Sequence, residues 1–133
     1  MIVLDSSALV AVLFAEPKAP AIAECMSGQP LTMSVANYLE CGTVLAGRRK
    51  DDPMRAKRHL DRALTQAGVQ LAAVDADQAR IALEARIRFG KGFGHPAALN
   101  FGDCFAYALA KTLNAPLLYV GDDFKHTDIE AAL

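Results

Sequence analysis

The sequence predicts an α/β fold, a three-layer sandwich in which helices flank a central, mainly parallel sheet of four or five strands. Three observations lead to this prediction. Short β-type runs alternate with helical segments along the 133 residues, as in folds whose parallel strands are joined by helices. The chain is 53% hydrophobic, which suffices for a sizeable core without disulfides or a structural metal. Neither a repeat nor a linker interrupts the pattern, so we expect one domain over residues 1–133.

The first half of the chain predicts two strands and four helices, bounded by residues that start or stop helices. Ser6 or Ser7 is suited to cap the helix that follows the first strand, and Ser34 the helix after the second. Pro53 occupies a first-turn position, where its missing N–H is tolerated. The predicted elements are a strand at 2–4, helices at 8–15 and 18–26, a strand at 31–33, and helices at 35–49 and 53–67.

The second half continues the alternation. Asp75 followed by Gln78 resembles a capping box, and the glycine-rich stretch 90–96 is a loop. After residue 120 the chain shows no clear fifth strand. The predicted elements are a strand at 69–74, a helix from 75 to 89, a helix at 101–113 and a strand at 117–120.

Composition indicates a soluble, cytoplasmic protein with no membrane partner. No apolar run approaches the roughly 18 residues that a membrane span needs, and the N-terminus lacks the basic region of a signal peptide. The three cysteines, Cys25, Cys41 and Cys104, lie far apart and have neither CxxC nor Cys/His spacing. Such cysteines are typical of core residues in a reducing compartment.

The net charge of −1 conceals an asymmetry along the chain. Residues 48–91 hold eleven of the fourteen basic residues but only six of the fifteen acids. A basic middle with acidic ends suits a polyanion that binds beside an acidic, metal-holding site. Solvated faces of amphipathic helices explain the same pattern, so charge alone does not decide between the two.

Acidic residues occur where an α/β sheet places its ligands. Asp5 follows the first strand, and Asp122 and Asp123 follow the last, so all three are expected beyond the carboxyl ends of strands. Glu40 and Asp103 lie on segments that otherwise read as apolar helix. Each has a simpler explanation taken alone: Asp5 as a helix cap, Asp103 as a helix-start acid, Glu40 as a solvated side chain.

Together, the acids indicate a cation. Several carboxylates converging on one cleft repel one another unless a cation neutralises them. Oxygen ligands favour Mg²⁺ or Mn²⁺, and the scattered histidines argue against a zinc site. Carboxylate-held Mg²⁺ suits phosphoryl chemistry.

At this point the residues resemble a known family. Four parts of the chain match, in order, the motifs of PIN-domain nucleases: the opening run Ile2 to Leu9, Glu40 after the second strand, the segment Gly102 to Ala110 and the segment Gly121 to Ile129. The likeness is strongest to VapC-type toxins of bacterial type II toxin–antitoxin systems, and it spans nearly the whole chain. It implies a PIN-like sandwich and a Mg²⁺-dependent endoribonuclease that cleaves RNA with a metal-activated water. It also implies a homodimer and a VapB-type antitoxin that holds the enzyme inactive.

The resemblance also implies roles for individual residues. Asp5 and Asp103 would be the principal metal ligands, and Glu40 would complete the acidic pocket. Asp123, or its neighbour Asp122, would be the fourth acid. Two further groups are auxiliary: hydroxyls that would bond a metal-bound water or phosphate (Ser6, Ser7), and basic residues that would contact RNA phosphates (Arg48, Arg49, Lys91, His95).

Two alternatives remain open at this level. A haloacid-dehalogenase-type phosphatase also places an Asp after its first strand. That family needs a second Asp two residues later as the general acid, but this chain has Ser7 at that position, and a serine cannot take the role. A catalytically inactive RNA-binding module would use the basic segment alone, and the acids then have no role.

Overall fold

A computed structural model describes residues 1–133. Strands and helices alternate in the predicted order, so the α/β prediction is confirmed. No helix of the structure is both long enough and apolar enough to span a bilayer. The elements are β1 (Ile2–Leu4), α1 (Ser6–Leu13), α2 (Ala19–Met26), β2 (Leu31–Ser34), α3 (Val35–Arg48), α4 (Pro53–Ala67), β3 (Val69–Ala72), α5 (Ala76–Phe89), α6 (Phe101–Leu113) and β4 (Leu117–Leu118).

The sheet has four strands in the order β3-β2-β1-β4, and every pairing is parallel. β1 is central: Val3 pairs with Thr32 of β2 on one side and with Leu117 of β4 on the other. The chain therefore moves outward from β1 in both directions, which creates a topological switch point between β1 and β4. Parallel sheets of this kind bind ligands beyond the carboxyl ends of the strands at that point.

Helices cover both faces of the sheet, and the alternation of side chains along β1 separates two cores. Ile2 and Leu4 belong to a cluster formed with α1, α2, α3 and α4, whereas Val3 belongs to a second cluster formed with α5 and α6. Leu60 of α4 is fully buried in the first cluster, and Leu109 of α6 is buried in the second. This arrangement is the predicted three-layer sandwich.

Several predicted boundaries were wrong by one or two residues. β4 ends at Leu118 instead of 120, because the N–H of Val120 donates to the hydroxyl of Ser7 at 3.0 Å instead of to a strand. The cap of α1 is Asp5, not a serine: its carboxylate accepts from the N–H of Ser7. The tail adds only an isolated parallel bridge between Ala131 and Leu117, so no fifth strand forms.

Candidate active site

The predicted acids lie around the switch point of the sheet. Asp5 directly follows β1, and Asp123 follows β4 by five residues. Glu40 is on α3 and Asp103 is in the first turn of α6, and these two helices contact each other. The charges of Asp5, Asp123 and Glu40 each contribute to a raised pKa of Asp103, so the structure brings four carboxyl groups close enough to interact electrostatically.

Asp5 is only 3% exposed, and its two oxygens have different surroundings. Oδ2 accepts from the backbone N–H of Ser7 at 3.0 Å and from its hydroxyl at 2.5 Å. Oδ1 is buried and has no hydrogen-bond partner within the protein. Burial raises the pKa of Asp5 to about 6 and the charge of Glu40 adds to the increase, although the bonds from Ser7 oppose it. A buried carboxylate oxygen without a partner is costly, so this atom is suited to meet a cation.

Asp103 combines the two interpretations that the sequence left open. It forms a capping box with Asn100, in which its N–H donates to the side chain of Asn100 at 2.9 Å and its Oδ2 accepts from the N–H of Asn100 at 3.0 Å. It is nevertheless only 6% exposed. Burial raises its pKa to about 7, and the neighbouring carboxylates contribute to that increase. The capping box thus fixes one oxygen of an acid whose charged form is destabilised by its surroundings.

Glu40 is held by side chains from two directions. The hydroxyl of Ser6 donates to its Oε1, and Nδ2 of Asn37 donates to the same oxygen at 3.3 Å. Ser6 follows β1, so this bond connects the end of the central strand to α3.

The two candidates for the fourth acid differ in their surroundings. The carboxylate of Asp122 forms an ion pair with Lys125 at 2.6 Å, and its side chain is 81% exposed. That pairing lowers the pKa of Asp122. Asp123, in contrast, contributes to the raised pKa of Asp103. The electrostatics therefore favour Asp123.

The donor set fits a hard divalent cation by its chemistry. All of the acids offer oxygen, and the Oδ1 of Asp5 is buried and has no hydrogen-bond partner. No three His, Cys, Asp or Glu side chains lie close enough together to share one ion. Hydroxyl and amide groups hold one oxygen of Asp5 and one of Glu40, which leaves the second oxygen of each carboxylate available to an ion.

The two auxiliary serines both have partners within the protein. The hydroxyl of Ser7 donates to Asp5 and accepts from Val120, while that of Ser6 donates to Glu40. In this structure they orient acids.

The predicted basic residues do not form one group. The guanidinium of Arg48 lies 4.3 Å from the ring centre of Phe14, and His95 is anchored by an N–H bond from Ala97 at 3.0 Å. Lys91 is exposed in the glycine-rich loop. Arg49 lines a groove between α1, α3 and α4 together with four further basic side chains: Arg55, Arg58, His59 and Arg62. The basic middle of the sequence thus forms a positive groove beyond the C-terminal end of α3.

Two residues that contact Glu40 were not predicted. Asn37 is fully buried, and Gly102 lies directly against the Glu40 carboxylate. The only sequence signals were an amide on a largely apolar helix and a glycine next to an acid, and both are common without function.

Comparison with known proteins identifies the family of the chain. The family model "PIN domain" matches residues 2–130. Ribonuclease VapC42 of Mycobacterium tuberculosis is 45% identical over 131 residues, covering 98% of both chains. Ribonuclease VapC of Mycolicibacterium smegmatis is 48% identical over 130 residues, covering 97% of this chain and 98% of the relative.

Solved structures agree on the fold. The crystal structure of Mycobacterium tuberculosis VapC20, a sarcin–ricin loop cleaving toxin, matches with a TM-score of 0.75 at 17% identity, covering 97% of this chain and 96% of that one. VapBC2 from Rickettsia felis, bound to a promoter DNA fragment, also gives a TM-score of 0.75, at 16% identity over 98% of this chain and 96% of that one. The motif resemblance is confirmed: the chain belongs to the PIN-domain family and, within it, to the VapC ribonucleases.

Proposed function

We propose that this protein is the ribonuclease toxin of a VapBC-type toxin–antitoxin pair and hydrolyses RNA phosphodiester bonds at the four acids. The observation that carries the proposal is the buried Asp5, whose Oδ1 has no partner within the protein and whose pKa is raised to about 6. The pKa of the neighbouring Asp103 is raised to about 7. Perturbed carboxyl groups at a sheet switch point are typical of a reaction centre. The names of its relatives, ribonucleases VapC, support RNA as the substrate.

The acids are suited to hold Mg²⁺, with Mn²⁺ as a substitute. Asp5 and Asp103 would be the main ligands, with Glu40 and Asp123 completing the pocket. When bound, such an ion lowers the pKa of water and stabilises charge on phosphate oxygens. The protein orients the ligands: Ser7 fixes one oxygen of Asp5, and the capping box fixes one oxygen of Asp103. Both remaining oxygens are free of protein hydrogen-bond partners, which supports their assignment as ligands.

Basic side chains outside the acidic site would bind flanking phosphates. Arg49 caps the C-terminal end of α3, nine residues after Glu40, which corresponds to about 13 Å along the helix axis at 1.5 Å per residue. With its neighbours in the positive groove it would contact the RNA backbone without reading bases. Lys91 is exposed in its loop and is free to do the same, whereas Arg48 and His95 have protein contacts to break first.

The partners follow from the same family. We propose a VapB-type antitoxin that inserts a basic side chain into the acidic pocket, where a cation would otherwise neutralise the carboxylates. Solved structures of similar fold include VapBC complexes. We also propose a homodimer, supported by two large apolar side chains, Leu39 and Phe101, that are 68% and 73% exposed beside the acidic site.

Two substitutions test the activity. Asp5→Asn and Asp103→Asn should each lower Mg²⁺-dependent RNA cleavage by more than about 100-fold, because even outer-shell partners of metal ligands contribute 10- to 100-fold. Expression of either variant should no longer arrest growth. Asp77→Asn is the matched control, since Asp77 is an exposed acid at the start of α5 that pairs only with Arg80.

The outcome separates the remaining interpretations. Cleavage at the wild-type rate by Asp5→Asn and Asp103→Asn would overturn the site. A wild type that binds RNA without cutting it in Mg²⁺ or Mn²⁺ would indicate the inactive binding module. The match to the PIN-domain model favours the nuclease over the phosphatase, and turnover of a small phosphomonoester would reverse that preference.

A further inference from the structure

The Glu40 carboxylate lies against the backbone of α6 at a position that only glycine permits. A Cβ atom on Gly102 would overlap Oε2 of Glu40 and would lie 2.6 Å from its Cδ. Gly102 is the second residue of α6 and directly precedes Asp103. Any side chain at position 102 would therefore displace the carboxylate of Glu40 from the turn that carries Asp103.

Asn37 holds the same carboxylate from the other side. Its amide is fully buried, and Nδ2 donates to the carbonyl oxygen of Gly102 at 3.0 Å and to Oε1 of Glu40 at 3.3 Å. Both facing atoms are acceptors, so only the NH₂ group of the amide suits them. One side chain thus ties the carboxylate on α3 to the first turn of α6, across 65 residues of sequence.

The place where these contacts hold Glu40 is electrostatically suited to an anion. The first turn of a helix presents unpaired N–H groups and the positive end of the helix dipole. α6 has 13 residues and begins at Phe101. The carboxylate is thereby held next to a second acid, which is the arrangement that a shared cation requires.

We propose that Asn37 and Gly102 are positioning residues that fix the Glu40 carboxylate beside Asp103, and so set the affinity of the site for a divalent cation. The inference rests on the proposed function, in which Glu40 helps to hold that cation. Asn37 acts through a hydrogen bond, and Gly102 acts by the absence of a side chain.

The first test is Gly102→Ala in the full chain without RNA, with Mn²⁺ affinity measured by electron paramagnetic resonance. Because the overlapping atoms belong to the end of a flexible side chain, the fold survives and only the carboxylate moves. We expect Mn²⁺ affinity to fall about 10- to 100-fold, with an unchanged or higher melting temperature. Gly47→Ala is the matched control, because Gly47 is a helical glycine in α3 with nothing within 4 Å of its added Cβ.

The second test is Asn37→Leu, which keeps the volume and removes the donor. Its matched control is Gln78→Leu. Gln78 is another buried amide, on α5, and it donates to the backbone oxygen of Ala73 at 3.1 Å. Both variants should lose stability by a similar amount. Only Asn37→Leu should weaken Mn²⁺ binding, by a factor comparable to that of Gly102→Ala.

A double-mutant cycle separates positioning from a general structural effect. In a Glu40→Ala background, Gly102→Ala should change Mn²⁺ affinity by less than about twofold, because no carboxylate is left to displace. Wild-type affinity in Gly102→Ala, or an equal loss in the presence and absence of Glu40, would overturn the proposal. If Glu40→Ala itself binds Mn²⁺ as the wild type does, the role of Glu40 in the proposed function is wrong, which is a different failure.

Discussion

The hydroxyl of Ser7 accepts a hydrogen bond from the backbone N–H of Val120 at 3.0 Å, which joins the first turn of α1, just after β1, to the chain two residues after β4. The same hydroxyl donates to Asp5 at 2.5 Å. The bond replaces strand pairing, since β4 ends at Leu118. The side chain of Ser7 therefore connects the chain after β1 to the chain after β4 at the switch point and also orients Asp5.

Removal of this hydroxyl should destabilise the protein. Ser7→Ala leaves the N–H of Val120 without its partner and removes a donor from Asp5, and an unsatisfied buried group costs about 1–3 kcal/mol. Urea denaturation should show a lower midpoint at an unchanged slope. Thr65→Ala is the control, because its exposed hydroxyl bonds only within α4. A Ser7→Ala midpoint equal to that of the wild type would mean that solvent replaces both bonds.

Without a bound cation, the protein should lose stability as pH rises. The folded pKa of Asp5 is about 6, above its ordinary 3.8, so the folded state binds more protons between those values. The contribution of Asp5 is therefore fully present below pH 3.8 and is lost as pH rises through 6. A shift of about two units corresponds to a loss on the order of 2–3 kcal/mol.

Asp5→Asn should consequently be more stable than the wild type at pH 8 in the presence of a chelator, and equal to it near pH 3.8. Asp128→Asn should show the opposite trend. The hydroxyl of Tyr107 lowers the pKa of Asp128, so its stabilisation is present above 3.8 and is lost as pH falls. Denaturation curves at several pH values measure both. A wild type more stable than Asp5→Asn at pH 8 would contradict the raised pKa.

The sequence was sufficient to predict the parts of the site that depend on local pattern. Asp5 was predicted because it ends a short β-run, and Asp103 because it is an acid on an otherwise apolar helix. Both features are visible within about ten residues of chain. The parallel sheet and the helices on both of its faces followed from the alternation of elements, and the structure confirms them.

The parts that were missed depend on contacts between distant segments. Asn37 and Gly102 meet across 65 residues, and nothing local marks them as neighbours of the same carboxylate. The end of β4 depends on Ser7, 113 residues away from Val120. The choice between Asp122 and Asp123 depends on which way a turn faces, because adjacent residues share the same local sequence.

That choice can be measured directly. Asp123→Asn should reduce both Mn²⁺ affinity and RNA cleavage by about tenfold or more, because its charge acts on Asp103. Asp122→Asn should change either by less than about twofold, since an exposed ion pair such as that with Lys125 contributes little. The two variants are adjacent and chemically identical, so each controls for the other. The reverse order of effects would make Asp122 the fourth acid.

The exposed apolar side chains beside the site predict self-association. Leu39 on α3 and Phe101 on α6 line one groove together with Phe105, whose ring meets that of Phe101 edge-on at 5.0 Å. Large apolar groups grouped in this way mark interaction surfaces more often than isolated ones do.

We expect the wild type to be dimeric at micromolar concentration in light scattering after gel filtration. The combined substitution Leu39→Lys and Phe101→Ser should give a folded monomer, because it places a charge and a hydroxyl in the apolar contact. Met54→Ser is the control: Met54 is also largely exposed, but it lies on α4, away from this groove. A dimer that survives the double substitution would place the interface elsewhere, and a monomeric wild type would contradict the proposed homodimer itself.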